Sequence, residues 1–183
     1  IDVTHTTVPD IDATFNMLIH ELFHIGFEKF RLYRKDYPLK NNRLDRVLDL
    51  LQNEGIATYV GYKAKKIYDI PDKKIYILLK SRENLPELIK DFNEYLDEII
   101  DCNDEEFYKK QNEIGYEKYA YYLLGAYMAE KIDKILGREV LISTILRGPR
   151  TFVSAYNSIA QKNEKIYEFP QFGSINLADK LKK

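Results

Sequence analysis

Two of the three histidines in this chain of 183 residues lie four positions apart, in the run His20-Glu21-Leu22-Phe23-His24. Apolar residues recur around them at steps of three and four, which is the spacing of an amphipathic α-helix. We expect this row to be the packing face of the helix, with Asp10 as its N-cap. The row consists of Ile11, Phe15, Leu18, Leu22 and Ile25.

The histidine spacing predicts a metal site. Side chains four residues apart on a helix of 3.6 residues per turn point within about 40° of each other, so both imidazoles can bind one ion. A catalytic zinc site has three protein ligands and keeps its fourth position for water. Glu21 would lie beside the metal and take a proton from that water. The alternative is two core histidines with a surface glutamate between them.

A third ligand is predicted on a second helix, over residues 42–67. Glu54 occupies a position where the inward row of this helix would next carry an apolar residue. Burying an unpaired carboxylate is costly, whereas a bound cation compensates its charge. Gly55 and Ala57 are small enough to let this helix approach the first one closely. The alternative is that Glu54 lies at the edge of the row and reaches solvent. The inward row before it is Leu44, Val47, Leu48 and Leu51.

The rest of the chain is also predicted to be mainly helical. Gly137 would end a long helix, and Gly148-Pro149 would begin the last one. The segment 72–79 is ambiguous between helix and strand, with helix favoured. We therefore expect a mainly α fold and a single domain over residues 1–183. The further helices are predicted over residues 85–99, 113–136 and 140–146.

Composition narrows the classes of partner. The chain has 28 Lys and Arg against 29 Asp and Glu, a net charge of -1, which gives no electrostatic reason to expect nucleic acid or a membrane surface. No apolar run approaches the roughly 20 residues of a membrane span. The single cysteine, Cys102, cannot form an internal disulfide and favours a reducing compartment such as the cytoplasm, but many secreted microbial proteins are also poor in cysteine, so the compartment stays open. The expected partner is a peptide or protein substrate.

These motifs resemble the gluzincin clan of zinc metallopeptidases, in which a His-Glu-x-x-His helix precedes a second helix with a glutamate ligand. The run Asn53-Glu54-Gly55-Ile56-Ala57 is similar to that second motif. The resemblance implies that His20, His24 and Glu54 bind zinc and that Glu21 is the general base. The segments 122–129, 137–139 and 148–152 are similar to the C-terminal part of zinc-dependent peptidase families of the clan.

Tyr122 is the predicted oxyanion donor. Peptide hydrolysis creates an oxyanion that a tyrosine beside the zinc can stabilise. Tyr122 lies on one stripe with Gly125 and Ala129, and it matches the tyrosine of the segment 122–129, which is similar to those peptidase families. We expect Gly125 to serve a close helix crossing. The alternative is that Tyr122, like its neighbours Tyr119, Tyr121 and Tyr127, is an ordinary packing residue.

Two features depart from the clan. Many members carry an acidic residue four positions after the ligand glutamate to orient a histidine, and here that position is Thr58. A threonine hydroxyl or a backbone carbonyl can take that role. The clan also places a β-sheet before the active-site helix, but only 19 residues precede His20. We expect residues 2–8 to be the last strand of such a sheet and the chain to be the C-terminal part of a longer protein, whose N-terminal segment would be a partner.

The sequence therefore predicts a zinc-dependent peptidase, with a zinc-activated water and Glu21 as the base. Two other functions are compatible with the motif. One is a binding module that the metal stabilises without catalysis, and the other is a zinc hydrolase of non-peptide amides or esters. Of the remaining candidates, we expect His5 to be exposed or a cap, and Glu28 to be a solvated charge.

Overall fold

The computed structural model describes residues 11–33, 43–68, 74–99 and 101–162, with side chains from residue 14 onward. All regular structure in these ranges is helical, which confirms the predicted mainly α fold. The predicted strand at 2–8, the cap Asp10 and the candidate His5 lie outside the described residues. Within the described ranges, no helix has the length and apolar character needed to cross a bilayer.

Most predicted helices are present with nearly the expected bounds, and the ambiguous segment 72–79 is helical. The elements are α1 Ile11–Arg31, α2 Arg43–Tyr68, α3 Lys74–Ser81, α4 Leu85–Glu98, α5 Asp104–Lys110, the π-helix Gln111–Glu117, α6 Ala120–Ile135, α7 Arg138–Arg147 and α8 Pro149–Ala160.

The prediction of one continuous helix over 113–136 is wrong. The chain forms α5, passes directly into the π-helix, and breaks at Tyr119, whose φ of 61° is left-handed. Asn103 caps α5, because its side chain accepts a hydrogen bond from the Glu106 backbone N–H while the Glu106 carboxylate accepts one from Asn103. This capping box was a readable signal for α5. The π-helix and the left-handed tyrosine leave no comparable signal, because the apolar spacing continues through them.

Helix α2 lies at the centre of the fold and packs most extensively against α6. A Cβ added at Gly55 would overlap the backbone of Gly125, so the two helix backbones are in contact there. The prediction that Gly55 serves the approach to α1 is therefore wrong, since its partner is α6. The predicted role of Gly125 in a close helix crossing is confirmed. Glu54 is held at this crossing, one residue before Gly55.

The predicted packing face of α1 is wrong. Four residues of the expected row point away from the core, and we call Phe15, Leu18, Leu22 and Ile25 the outer row; they are 40%, 38%, 61% and 52% exposed. The side of α1 that faces α2 carries Asn16, His20, His24 and Phe27, which we call the inner row. A count of apolar residues selects the outer row, because three of the four inner-row side chains are polar.

Candidate metal centre

Two helices bring His20, His24 and Glu54 together. Each side chain offers one ligand atom, and these atoms all lie within 4.8 Å of one another. The Glu54 Oε2 atom is 3.3 Å from His20 Nε2 and 3.5 Å from His24 Nε2. The pair on α1 and the carboxylate on α2 thus meet in one cluster, as the sequence predicts.

The donor set fits zinc. Two imidazole nitrogens and one carboxylate oxygen are the ligands of many catalytic zinc sites, which keep one further position open. The cluster is neither sealed nor fully exposed, since the three side chains retain between 15% and 21% of their accessible surface. A small ligand or a substrate group can therefore reach it. His20, His24 and Glu54 are the residues that would hold the ion.

Glu54 and His24 each stabilise the charged form of the other. Burial alone would raise the pKa of Glu54, but hydrogen bonds from His20 and His24 outweigh it and lower that pKa to about 2. Burial would lower the pKa of His24, whereas its hydrogen bonds to Glu54 and Asn53 raise it above the ordinary value. Glu54 is therefore ionised at neutral pH, as a metal ligand must be.

Asn53 orients one imidazole, a role that the sequence reasoning missed. Its Oδ1 atom lies 2.9 Å from His24 Nδ1. An amide oxygen accepts, so Nδ1 donates to it, and Nε2, which donates to Glu54 in the metal-free protein, is the nitrogen whose lone pair a metal would take in place of that proton. The Thr58 hydroxyl is buried and makes no hydrogen bond to a described residue. The clue to Asn53 was its place directly before Glu54, the predicted third ligand.

Glu21 lies next to the cluster on a recess in the surface. The recess has a volume of about 450 Å³, and its described lining comes from α1 and the turn after it. Glu21 forms no hydrogen bond or ion pair with a described residue, whereas Glu28 pairs with Arg31. The described lining residues are Glu21, His24, Ile25, Glu28, Lys29 and Leu32.

Tyr122, on α6, also lies beside the cluster. Its ring centroid is 6.3 Å from that of His20. Burial and the negative charges of Glu54 and Glu21 raise its pKa, so the phenol stays protonated and can donate a hydrogen bond. Tyr121 and Tyr127, by contrast, are fully buried packing residues.

These features define a helical protein with a partly open His-His-Glu site. A family model described as "Putative zinc dependent peptidase (DUF5700)" matches residues 1–165, and the chain belongs to this family. Searches of curated proteins and of solved structures find no match. The description of this family supports the predicted class of protein, a zinc-dependent peptidase. The finer resemblance to the gluzincin clan stays a prediction.

Proposed function

We propose that this protein hydrolyses peptide bonds with a zinc ion held by His20, His24 and Glu54. In this proposal Glu21 is the general base and Tyr122 stabilises the oxyanion. The observation that carries the proposal is the meeting of the three ligand atoms within 4.8 Å, next to a carboxylate that no described residue pairs with. The family description supports the same class of reaction.

Each side chain has a defined task in this reaction. When bound, zinc supplies Lewis acidity, which polarises a substrate carbonyl and makes water a stronger acid. Glu21 takes the proton of the attacking water and returns it to the leaving amine. The Tyr122 hydroxyl donates a hydrogen bond to the carbonyl oxygen as negative charge develops on it. Asn53 keeps His24 in the tautomer that leaves Nε2 unprotonated.

Metal content tests the ligand assignment. Purified protein is expected to hold one zinc ion per chain, and Glu54→Ala is expected to lose most of it, because the site then lacks one of three ligands. Glu83→Ala is the matched control, since Glu83 is exposed in the turn between α3 and α4. Undiminished zinc affinity in Glu54→Ala, measured by competition with a chelator, would show that Glu54 is not a ligand.

Activity of Glu21→Gln tests the general base. Loss of a general base lowers the rate by roughly 10²–10⁴, so this variant should bind zinc normally and cleave a peptide library far more slowly. Parallel assays on small amides and esters distinguish a peptidase from a hydrolase of other substrates. Unchanged peptide cleavage by Glu21→Gln would contradict the role of Glu21. Zinc-loaded protein that cleaves no substrate would favour the binding module.

A further inference from the structure

The ring of Tyr122 contacts the rings of two other tyrosines, Tyr116 and Tyr119, which we call the tyrosine clamp. Each clamp ring has its centroid 6.3 Å from that of Tyr122, with interplanar angles of 62° and 65°. These are edge-to-face contacts, a favoured arrangement of aromatic pairs. His20 faces the same ring from the metal cluster. Tyr122 thus has an aromatic neighbour on the cluster side and two from the segment before α6.

The backbone that carries the clamp is irregular at two points. Tyr116 lies in the π-helix Gln111–Glu117, a conformation adopted by well under 1% of residues and frequent at functional sites. Tyr119 has a φ of 61°, which disfavours a bulky side chain and suits glycine or asparagine. Both irregular positions place a tyrosine ring against Tyr122. A regular helix through this segment would not place these rings in the same way.

Both clamp rings are anchored from outside the site. Tyr116 also packs edge-to-face on Tyr121, with centroids 5.5 Å apart, and Tyr121 is completely buried. A Cβ added at Gly115 would overlap the ring of Tyr121, so the π-helix lies tightly against that side chain. Tyr119 has the Lys74 ammonium of α3 5.4 Å from its ring centroid. The core and α3 thus limit the movement of the two rings.

We propose that Tyr116 and Tyr119 are positioning residues that hold the Tyr122 phenol beside the metal cluster. This inference rests on the proposed function, in which Tyr122 donates to the oxyanion. A donor that is held in place before the reaction needs no reorganisation when charge develops, and small displacements of such a group slow catalysis strongly. Because the clamp acts through its rings, phenylalanine is sufficient at both positions.

The first test compares variants that keep or remove the rings. Tyr116→Leu and Tyr119→Asn are expected to lower kcat roughly tenfold with little change in KM or zinc content, whereas Tyr116→Phe and Tyr119→Phe stay near wild type. Asparagine tolerates the left-handed backbone, so Tyr119→Asn should lose activity without a matching loss of thermal stability. Tyr108→Leu is the control, since Tyr108 is an exposed tyrosine on α5.

The second test needs no turnover. A phosphonamidate peptide places an anionic oxygen where the oxyanion forms, so its affinity for zinc-loaded protein reports on the Tyr122 donor. Tyr122→Phe, Tyr116→Leu and Tyr119→Asn should all bind it more weakly. If only Tyr122→Phe does so, the clamp is wrong and the proposed function stands. If Tyr122→Phe has no effect, the clamp is wrong as well. If wild type neither cleaves peptides nor binds the phosphonamidate, the proposed function fails, and the clamp with it.

Discussion

The inner and outer rows of α1 belong to the same helix and have opposite composition and burial. The outer row is entirely apolar, and Leu22 in it is 61% exposed. The inner row is mostly polar, yet Asn16 and Phe27 in it are each 1% exposed. Apolar character therefore does not decide which side of this helix is buried. The buried side of α1 is the side that α2 contacts.

The inner row can be buried because the fold provides partners for most of its polar atoms, although the Asn16 Nδ2 amide has no hydrogen-bond partner among the described residues. Asn16 accepts a hydrogen bond from the Tyr76 hydroxyl, and His24 is bonded to Asn53. His20 lies within 3.3 Å of the Glu54 carboxylate. A polar group that finds such partners does not incur the full cost of leaving water. Helix α1 is therefore held against α2 and α3 by the hydrogen bonds of its polar inner-row residues as well as by its apolar contacts.

The largest difference is expected from truncating one residue in each row. Phe27→Ala removes a fully buried ring and should lower the free energy of unfolding by about 3–5 kcal/mol. Leu22→Ala shortens an exposed side chain and should change it by about 0.5 kcal/mol or less. Denaturant unfolding of both variants measures this. Similar losses in the two variants would contradict the assignment of the rows.

Two glycines allow a similar comparison between a closely packed helix backbone, at Gly55, and an open one, at Gly26. Gly55→Ala forces a methyl group into the backbone of α6 and should destabilise the protein by about 1–3 kcal/mol. Gly26→Ala, on α1, meets no atom within 4 Å and should stabilise it by about 0.5–1 kcal/mol, because alanine is the better helix former. Thermal unfolding checks both signs. A stable Gly55→Ala variant would show that α2 and α6 are less closely packed.

Substitutions of Asn53 test whether its hydrogen bond to His24 in the inner row contributes to metal binding. Asn53→Ala removes the acceptor for His24 Nδ1 and should weaken zinc affinity about 10- to 100-fold. Asn53→Asp keeps an acceptor at the same place and should retain most of the affinity. Competition with a zinc chelator measures both variants. Equal affinity of Asn53→Ala and wild type would leave Asn53 without a role in metal binding.

The smallest effect is expected from pH in the metal-free protein. The pKa of His24 is raised, so its contribution to stability is present below its ordinary value of 6.5 and is lost as pH rises through the raised value. The pKa of Glu54 is lowered to about 2, so its contribution is present above its ordinary value of 4.5 and is lost as pH falls towards 2. The ion pair of His24 and Glu54 therefore stabilises the protein most between pH 4.5 and pH 6.5, the ordinary pKa values of the two groups.

Unfolding of metal-free wild type and Glu54→Gln checks this pH dependence. The difference in free energy of unfolding between the two proteins should be larger at about pH 5.5 than at about pH 8.5. Glu83→Gln serves as the control, because Glu83 is an exposed carboxylate outside the cluster. A gap that widens as the pH rises would contradict the raised pKa of His24.

Local features of the chain were predictable where the signal lies within one helix. The spacing of His20 and His24 places both imidazoles on one side of α1 without knowledge of the rest of the fold. Glu54 was found because it interrupts an apolar row that extends along α2. Gly137 and the Gly148-Pro149 pair mark helix boundaries through backbone preferences that act at single residues.

Features that depend on contacts between helices were not predictable in the same way. The side of α1 that is buried, the partner of Gly55 and the hydrogen bond from His24 to Asn53 each require the position of a second helix. The left-handed Tyr119 is likewise set by its surroundings, since tyrosine has no preference for that conformation.

By itself, the sequence determined a helical chain with two histidines and a glutamate at spacings suited to a metal. Helical periodicity is local, so it could be read directly. Only the tertiary structure decided that the polar row of α1 faces inward, that Asn53 orients His24 and that Tyr122 reaches the same cluster. The physical reason is that burial and hydrogen bonding are properties of pairs of surfaces, and the sequence of one helix does not contain its partner.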